Sequence, residues 1–172
     1  MDNIEVLISK EKLNERIKEI AHIIEKDYKG EEVTFVSVLK GAVFFTVDLM
    51  KHYDGDCILD VVRVSSYSGE NSTGKIELKI PLKREHIKDK NIIIVEDIVD
   101  TGRTFKYLVN YIKRMQPKSV KTCVMLDKPS RRVVEFHPDY TGFEIEDLFV
   151  IGYGLDFDEK YRNLPYIGYI KK

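Results

Sequence analysis

Three features of the 172-residue sequence predict an α/β fold, with a central, mostly parallel sheet flanked by helices on both faces. Short runs of β-branched and apolar residues are too uniformly apolar for half-exposed strands, and they alternate with segments of 3.6-residue apolar period. The order strand, loop, helix, strand implies parallel pairing through right-handed crossovers. The loops that leave the strands, where ligands of such sheets gather, carry the least ordinary residues.

From Ser9 to about Tyr28, Leu13, Ile17, Ile20, Ala21 and Ile24 recur on one helical face, with Ser9 as N-cap and Gly30 as stop. Val33 to Leu39 is then a strand covered on both faces, broken by Lys40-Gly41, and Ala42 to Tyr53 is helical. Cys57 to Val64 forms another strand, followed by the polar stretch Ser65 to Lys75. Ile76, Leu78, Ile80 and Leu82 alternate with polar or exposed positions, as a half-exposed strand requires. Asn91 to Val95 is a third buried strand, and a helix carrying Phe105, Leu108, Val109 and Ile112 closes near Pro117. Ser119 to Leu126 and Phe149 to Ile151 complete the set. No repeat, low-complexity tract or linker divides the chain, so residues 1–172 are expected to form one domain.

Composition excludes several function classes. Lysine and arginine number 28 against 29 aspartate and glutamate, a formal net charge of −1, which removes the overall attraction to polyanions that a basic chain has. No nucleic-acid or membrane partner is therefore expected, and any charge-based function must be local. No apolar run approaches the roughly 20 residues that span a bilayer. Met1-Asp2-Asn3 lacks the basic and apolar start of an export signal. Cys57 and Cys123 lie far apart, and His22, His52, His86 and His137 show no metal-binding spacing, so zinc and thiol chemistry are not expected. A reducing cytoplasm is the expected location.

The segment Val95 to Thr104 carries chemistry. Glu96 and Asp97 follow a buried strand and point to opposite sides of the extended chain, Asp100 comes next, and Thr101-Gly102-Arg103-Thr104 opens a helix. Main-chain amides of such a turn, with the Thr101 and Thr104 hydroxyls, make an anion site that the helix dipole reinforces. Three carboxylates would repel a phosphate unless they face another part of the ligand. Carboxylates accept from sugar hydroxyls, and a divalent cation offsets their remaining charge. A sugar phosphate meets both requirements.

The string Val95-Glu96-Asp97-Ile98-Val99-Asp100-Thr101-Gly102-Arg103-Thr104 resembles the phosphoribosyl pyrophosphate (PRPP) signature of type I phosphoribosyltransferases. Further pieces resemble the hypoxanthine-guanine branch: Leu39-Lys40-Gly41, Ser66-Tyr67, Asp127-Lys128-Pro129, Phe149 to Asp156, and Tyr161 to Pro165. The resemblance implies that family's fold, including a small hood made by the N- and C-terminal segments. It also implies purine salvage, in which hypoxanthine or guanine and PRPP give the nucleotide and pyrophosphate with Mg2+ as cofactor.

Residue by residue, the resemblance implies that Glu96 and Asp97 hold the ribose hydroxyls directly or through a magnesium shell. Asp100 becomes the base for the purine N7 proton, and Thr101, Gly102, Arg103 and Thr104 bind the 5′-phosphate. Lys40, Gly41 and Arg162 take pyrophosphate, often with a cis peptide before Lys40. Lys128 donates to purine O6, Phe149 stacks on the ring, Val150 and Asp156 meet its edge, and the Asp156 side chain binds metal. Ser66 and Tyr67 belong to a mobile lid at about 65–75, and a homodimer or homotetramer is implied. From the residues alone, Arg162 is equally a partner for Asp156 or Asp158, Phe149 a core residue, and Ser65 to Lys75 a solvated hairpin loop.

Gly69 to Lys75 fits seven of the eight positions of a phosphate-binding P-loop, but Ile76 stands where a hydroxyl is needed and a strand pattern follows where a helix should. Asn71-Ser72-Thr73 matches a glycosylation sequon by chance. Two alternatives stay open: a PRPP-binding regulator on the same fold linked to RNA or DNA, using clusters such as Lys113-Arg114, Lys118-Lys121 and Arg131-Arg132, and a transferase for another nucleobase.

Overall fold

A computed structural model describes residues 4–66 and 76–171. In chain order the elements are β1 (Ile4–Ile8), α1 (Lys10–Asp27), β2 (Val33–Val38), α2 (Ala42–Lys51), β3 (Cys57–Ser66), β4 (Ile76–Ile80), β5 (Asn91–Val99), α3 (Arg103–Lys113), β6 (Ser119–Asp127), β7 (Tyr140–Glu144), β8 (Val150–Ile151) and β9 (Ile167–Ile170). Six strands form one sheet in the order β4-β3-β2-β5-β6-β7, parallel throughout except for the antiparallel edge strand β4. β1, β9 and β8 form a separate antiparallel sheet that joins the two ends of the chain, which is the expected hood.

Alternation along the central strands sorts side chains into two apolar layers. Val33, Phe35, Ile93, Val95, Cys123 and Met125 pack with Leu13, Ile17, Ile20 and Ile24 of α1 and Phe45 and Leu49 of α2. Val36, Val38, Ile92, Ile94 and Val124 face the other way, against Phe105, Leu108 and Ile112 of α3. Helices thus cover both faces, as the uniformly buried strands require. Ser9 caps α1 by accepting from the Lys12 amide, and the five periodic residues named above are its buried face. Inside the core, the buried Thr46 hydroxyl donates to the Ala42 carbonyl at 2.8 Å and accepts from the Ser37 hydroxyl at 2.9 Å.

Several boundaries move for identifiable reasons. β5 continues four residues past Val95 because Glu96, Ile98 and Val99 still pair with Val124, Leu126 and Asp127 of β6. β3 runs through the polar Ser65 and Ser66 because they pair with Glu77 and Ile76 of β4. α2 ends at Lys51 rather than Tyr53, and β4 stops at Ile80, before Leu82. Ile76 begins a strand, so no helix follows the P-loop-like string. That string, the sequon, Tyr67 and residues 67–75 of the expected lid lie outside the described residues, as does the side chain of Ser66. No helix is long and apolar enough to cross a membrane.

Phe105 is fully buried and stacks on Phe136 with ring centroids 4.8 Å apart, holding the first turn of α3 against the sheet. Phe105→Ala is expected to cost about 3–5 kcal/mol in urea unfolding. Ile23→Ala, on the exposed side of α1, is expected to cost less than about 1 kcal/mol.

Candidate active site

The carboxyl ends of β2, β5 and β6 bring most of the expected residues to one end of the sheet. β2 ends at Val38, and a cis peptide joins Leu39 to Lys40. Gly41 then passes so close to β5 that a Cβ there would lie 1.6 Å from Asp97 Oδ2. Gly154, at φ +98, packs on the Gly41 carbonyl from the other side. Glycine at 41 is thus required by a close approach between the Lys40 loop, the acidic end of β5 and the segment that follows β8.

A chain of polar contacts runs along that segment. Arg162 Nη1 donates to the Gly154 carbonyl at 2.7 Å, and Nη2 lies 2.8 Å from Asp156 Oδ1 and 3.4 Å from Glu159 Oε1. The other oxygen of Glu159 is 2.5 Å from Lys40 Nζ. Both expected pyrophosphate cations, Lys40 and Arg162, therefore rest on one carboxylate. Arg162 pairs with Asp156 as its sequence neighbourhood allows.

The second half of the cluster surrounds Lys128, which is buried. Its Nζ donates to the Leu148 carbonyl at 2.6 Å and lies 3.8 Å from Asp100 Oδ1 and 3.9 Å from Asp147 Oδ1. Asp100 Oδ1 is itself buried without a hydrogen-bond partner. Phe149 follows Leu148 and is 62 % exposed, so it is not a core residue. Its ring meets Phe157 edge-on at 5.6 Å, which ties this half to the segment carrying Asp156. The buried Val150 opens β8 in the hood sheet.

Glu96 and Asp97 are partly buried where β5 leaves the core. Burial, then the charges of Asp97 and Asp100, hold the Glu96 carboxyl well above the ordinary range. Burial likewise pushes Asp97 up to about 6, against the hydrogen bond it accepts from the Ile98 amide at 2.8 Å and the Arg162 charge. Two acids raised by one low-dielectric strand end accept a cation or sugar hydroxyls at the least cost, because a ligand replaces the water they lost. Among the described residues no three His, Cys, Asp or Glu side chains gather into a metal site of their own. Hard oxygen donors arranged singly fit magnesium, which keeps waters and is shared with substrate phosphates.

Asp100 to Thr104 link β5 to α3. Gly102 takes φ +79, and Arg103 to Lys113 form the helix. The expected anion turn therefore sits directly at a helix N-terminus, beside Asp100. Glu159, Asp147 and Arg132 have no role in this site from the sequence, and Asp127 enters only as the first residue of the Asp127-Lys128-Pro129 string. Glu159 and Asp147 had only proximity to Arg162 and Phe149 as a signal, and the contacts of Arg132 are formed in space. A cleft of about 560 Å³ lies elsewhere, among Asn14, Phe44, Asp48, Tyr153 and Leu164, and holds none of the expected residues.

A family model described as "Phosphoribosyl transferase domain" matches residues 7–158. A hypoxanthine-guanine phosphoribosyltransferase of Lactococcus lactis is 44% identical over 167 residues, covering 96% of this chain and 90% of that protein. The crystal structure of a hypoxanthine-guanine phosphoribosyltransferase from Bacillus anthracis superposes with a TM-score of 0.93 at 43% identity, covering 97% of this chain and 98% of the other. A Staphylococcus aureus hypoxanthine phosphoribosyltransferase superposes at 0.91 with 39% identity, covering 97% and 91%.

The raised Asp97 has a consequence for stability. In the folded chain it keeps its proton to about pH 6, whereas unfolded it loses it near its ordinary value of 3.8, so stability falls as pH rises across that interval. Asp97→Asn is expected to raise the melting temperature at about pH 7.5, by up to about 3 kcal/mol in stability. The gain should vanish as pH is lowered toward about 4.

Proposed function

The chain belongs to the phosphoribosyl transferase family, and from that membership and the site we propose that it is a hypoxanthine-guanine phosphoribosyltransferase of purine salvage. Hypoxanthine or guanine and PRPP give the nucleotide and pyrophosphate. The observation that carries the 6-oxopurine assignment is the buried Lys128 ammonium held 3.8 Å from Asp100 Oδ1, beside the exposed ring of Phe149. A donor and an acceptor fixed next to each other match the O6 and N7–H edge of such a base, and the ring supplies a stacking face.

In the reaction the bond from C1′ to a purine nitrogen forms as the bond from C1′ to pyrophosphate breaks. Asp100 takes the N7 proton, so the attacking base gains electron density while positive charge develops on ribose. Lys128 donates to O6 and Phe149 stacks, with main-chain groups of Val150 and Asp156 at the ring edge. The amides of residues 101–104 hold the 5′-phosphate, and Glu96 and Asp97 hold the ribose diol. Lys40, Gly41 and Arg162 receive pyrophosphate and its growing charge. Asp156, with Glu96 and Asp97 through a water shell, would hold magnesium, which would neutralise phosphate charge.

A cytoplasmic homodimer or homotetramer completes the proposal. Partly exposed Phe44 and Val47 on α2 offer apolar surface for a second copy. The clusters that a nucleic-acid-binding regulator would use are largely spent on acids: Lys118 on Glu31, Lys121 on Asp27, Arg131 on Asp147 and Arg132 on Asp127. This pairing favours the enzyme.

Incubation with PRPP, magnesium and hypoxanthine is expected to yield inosine monophosphate, detected by chromatography. Asp100→Asn should lower kcat by about 10²–10⁴-fold with the 5′-phosphate turn intact. No product from hypoxanthine, guanine or xanthine would overturn the assignment. Glu159→Gln, which removes the carboxylate resting on Lys40 and Arg162, is expected to tighten pyrophosphate about 3–10-fold in calorimetry, since one competing anion is lost.

A further inference from the structure

Arg132 lies in the segment after β6, behind the Asp100–Thr104 turn, and makes more contacts to that turn than any substrate role requires. Its Nη1 donates to the Asp100 carbonyl at 2.6 Å and to the Val99 carbonyl at 3.4 Å, Nη2 pairs with Asp127 Oδ1, and Nε donates to the Phe136 carbonyl at 3.1 Å. The guanidinium stands over the Phe136 ring at 5.8 Å, and Phe136 stacks on Phe105 of α3. The Arg132 side chain is 14 % exposed, so its charge is compensated by these partners rather than by water. A Cβ on Gly102 would lie 3.0 Å from Arg132 Cδ, which shows how tightly the turn is laid on this side chain. Neighbouring amides do the same work: Val133 N and Val134 N donate to the Thr101 carbonyl, and Lys128 N to that of Val99.

In a trans peptide the carbonyl and the following N–H point in opposite directions. With the Val99, Asp100 and Thr101 carbonyls all engaged from the 128–134 side, the N–H groups of residues 100, 101 and 102 are turned the other way. Those of residues 101 and 102 are amides of the expected 5′-phosphate cradle, and that of Asp100 leads into it. We propose that Arg132 is a positioning residue that fixes the amide orientation of the 5′-phosphate turn. It acts through the Asp100 peptide, with Asp127 anchoring its guanidinium. This role rests on the transferase assignment and assigns Arg132 to phosphate recognition rather than to any contact with substrate.

Binding of ribose 5-phosphate and of magnesium pyrophosphate, measured separately by calorimetry, tests the role, together with kinetics in PRPP and hypoxanthine. Arg132→Met keeps the stem and removes every donor. It is expected to weaken ribose 5-phosphate and raise the KM for PRPP about 100-fold, as a misplaced cradle should, while pyrophosphate affinity stays within about twofold. Guanidinium at millimolar concentration should restore part of kcat/KM in Arg132→Ala, a rescue that general loosening of the fold would not show. If Arg132→Met fails to fold, Arg132→Lys carries the same comparison, since one ammonium cannot reach both carbonyls and Asp127. Equal losses for the two ligands, or wild-type ribose 5-phosphate affinity in a folded variant, would overturn the role. A wild-type protein that makes no nucleotide from any base would instead overturn the assignment beneath it.

Discussion

The site depends on β5 being paired beyond the point where its side chains stop being apolar. Four buried residues, Ile92 to Val95, drive the strand into the core, and the ladder to β6 then carries Glu96 to Val99 onward in register. Main-chain pairing does not depend on side-chain polarity, so the sheet delivers carboxylates to a place that burial alone would refuse them. Their raised protonation is the cost of that delivery. Gly41 follows from it: Asp97 occupies the space where a side chain on the Lys40 loop would stand.

Charges in the site are arranged as pairs that a substrate can exchange. Lys40 and Arg162 rest on Glu159, while Lys128 rests on the Leu148 carbonyl between Asp100 and Asp147. Cations held this way are ordered before ligand arrives, and under the proposed roles an incoming phosphate or O6 would substitute for a protein acceptor rather than for bulk water. The near-zero net charge is consistent with this. A chain with a formal charge of −1 attracts no polyanion over its whole surface, and its cations act where individual carboxylates hold them.

Much of this was legible in the residues because it is local. The periodicity of α1, its Ser9 cap and the uniformly apolar β2 and β5 specify their own environment, and the string from Val95 to Thr104 specifies a strand, an acidic end and a turn. β1, β7 and β9 carry no strand signal of their own, the first and last entering only as the hood that the resemblance implies, because they are short and depend on partners distant in sequence, such as Ile4 with Ile170 and Cys123 with Tyr140. The same holds in the site. Arg132 reads as one of two adjacent basic residues, and only the folding of the 128–136 segment against the Asp100 turn turns it inward. Phe149 was ambiguous between core and stacking platform by composition, and its exposure decides between them.

In the proposed assignment, the Asp100–Lys128 pair reads the 6-oxo edge of a purine at the end of β5 and β6. The ratio of kcat/KM for hypoxanthine to that for adenine, with saturating PRPP and magnesium, tests it most directly. A site built to donate to O6 should favour hypoxanthine by at least about 10³-fold, because a 6-amino group sets a second donor against the buried ammonium where O6 would accept from it. That preference should shrink to about tenfold or less in Lys128→Met. Equal use of the two bases, or a preference untouched by Lys128→Met, would contradict it.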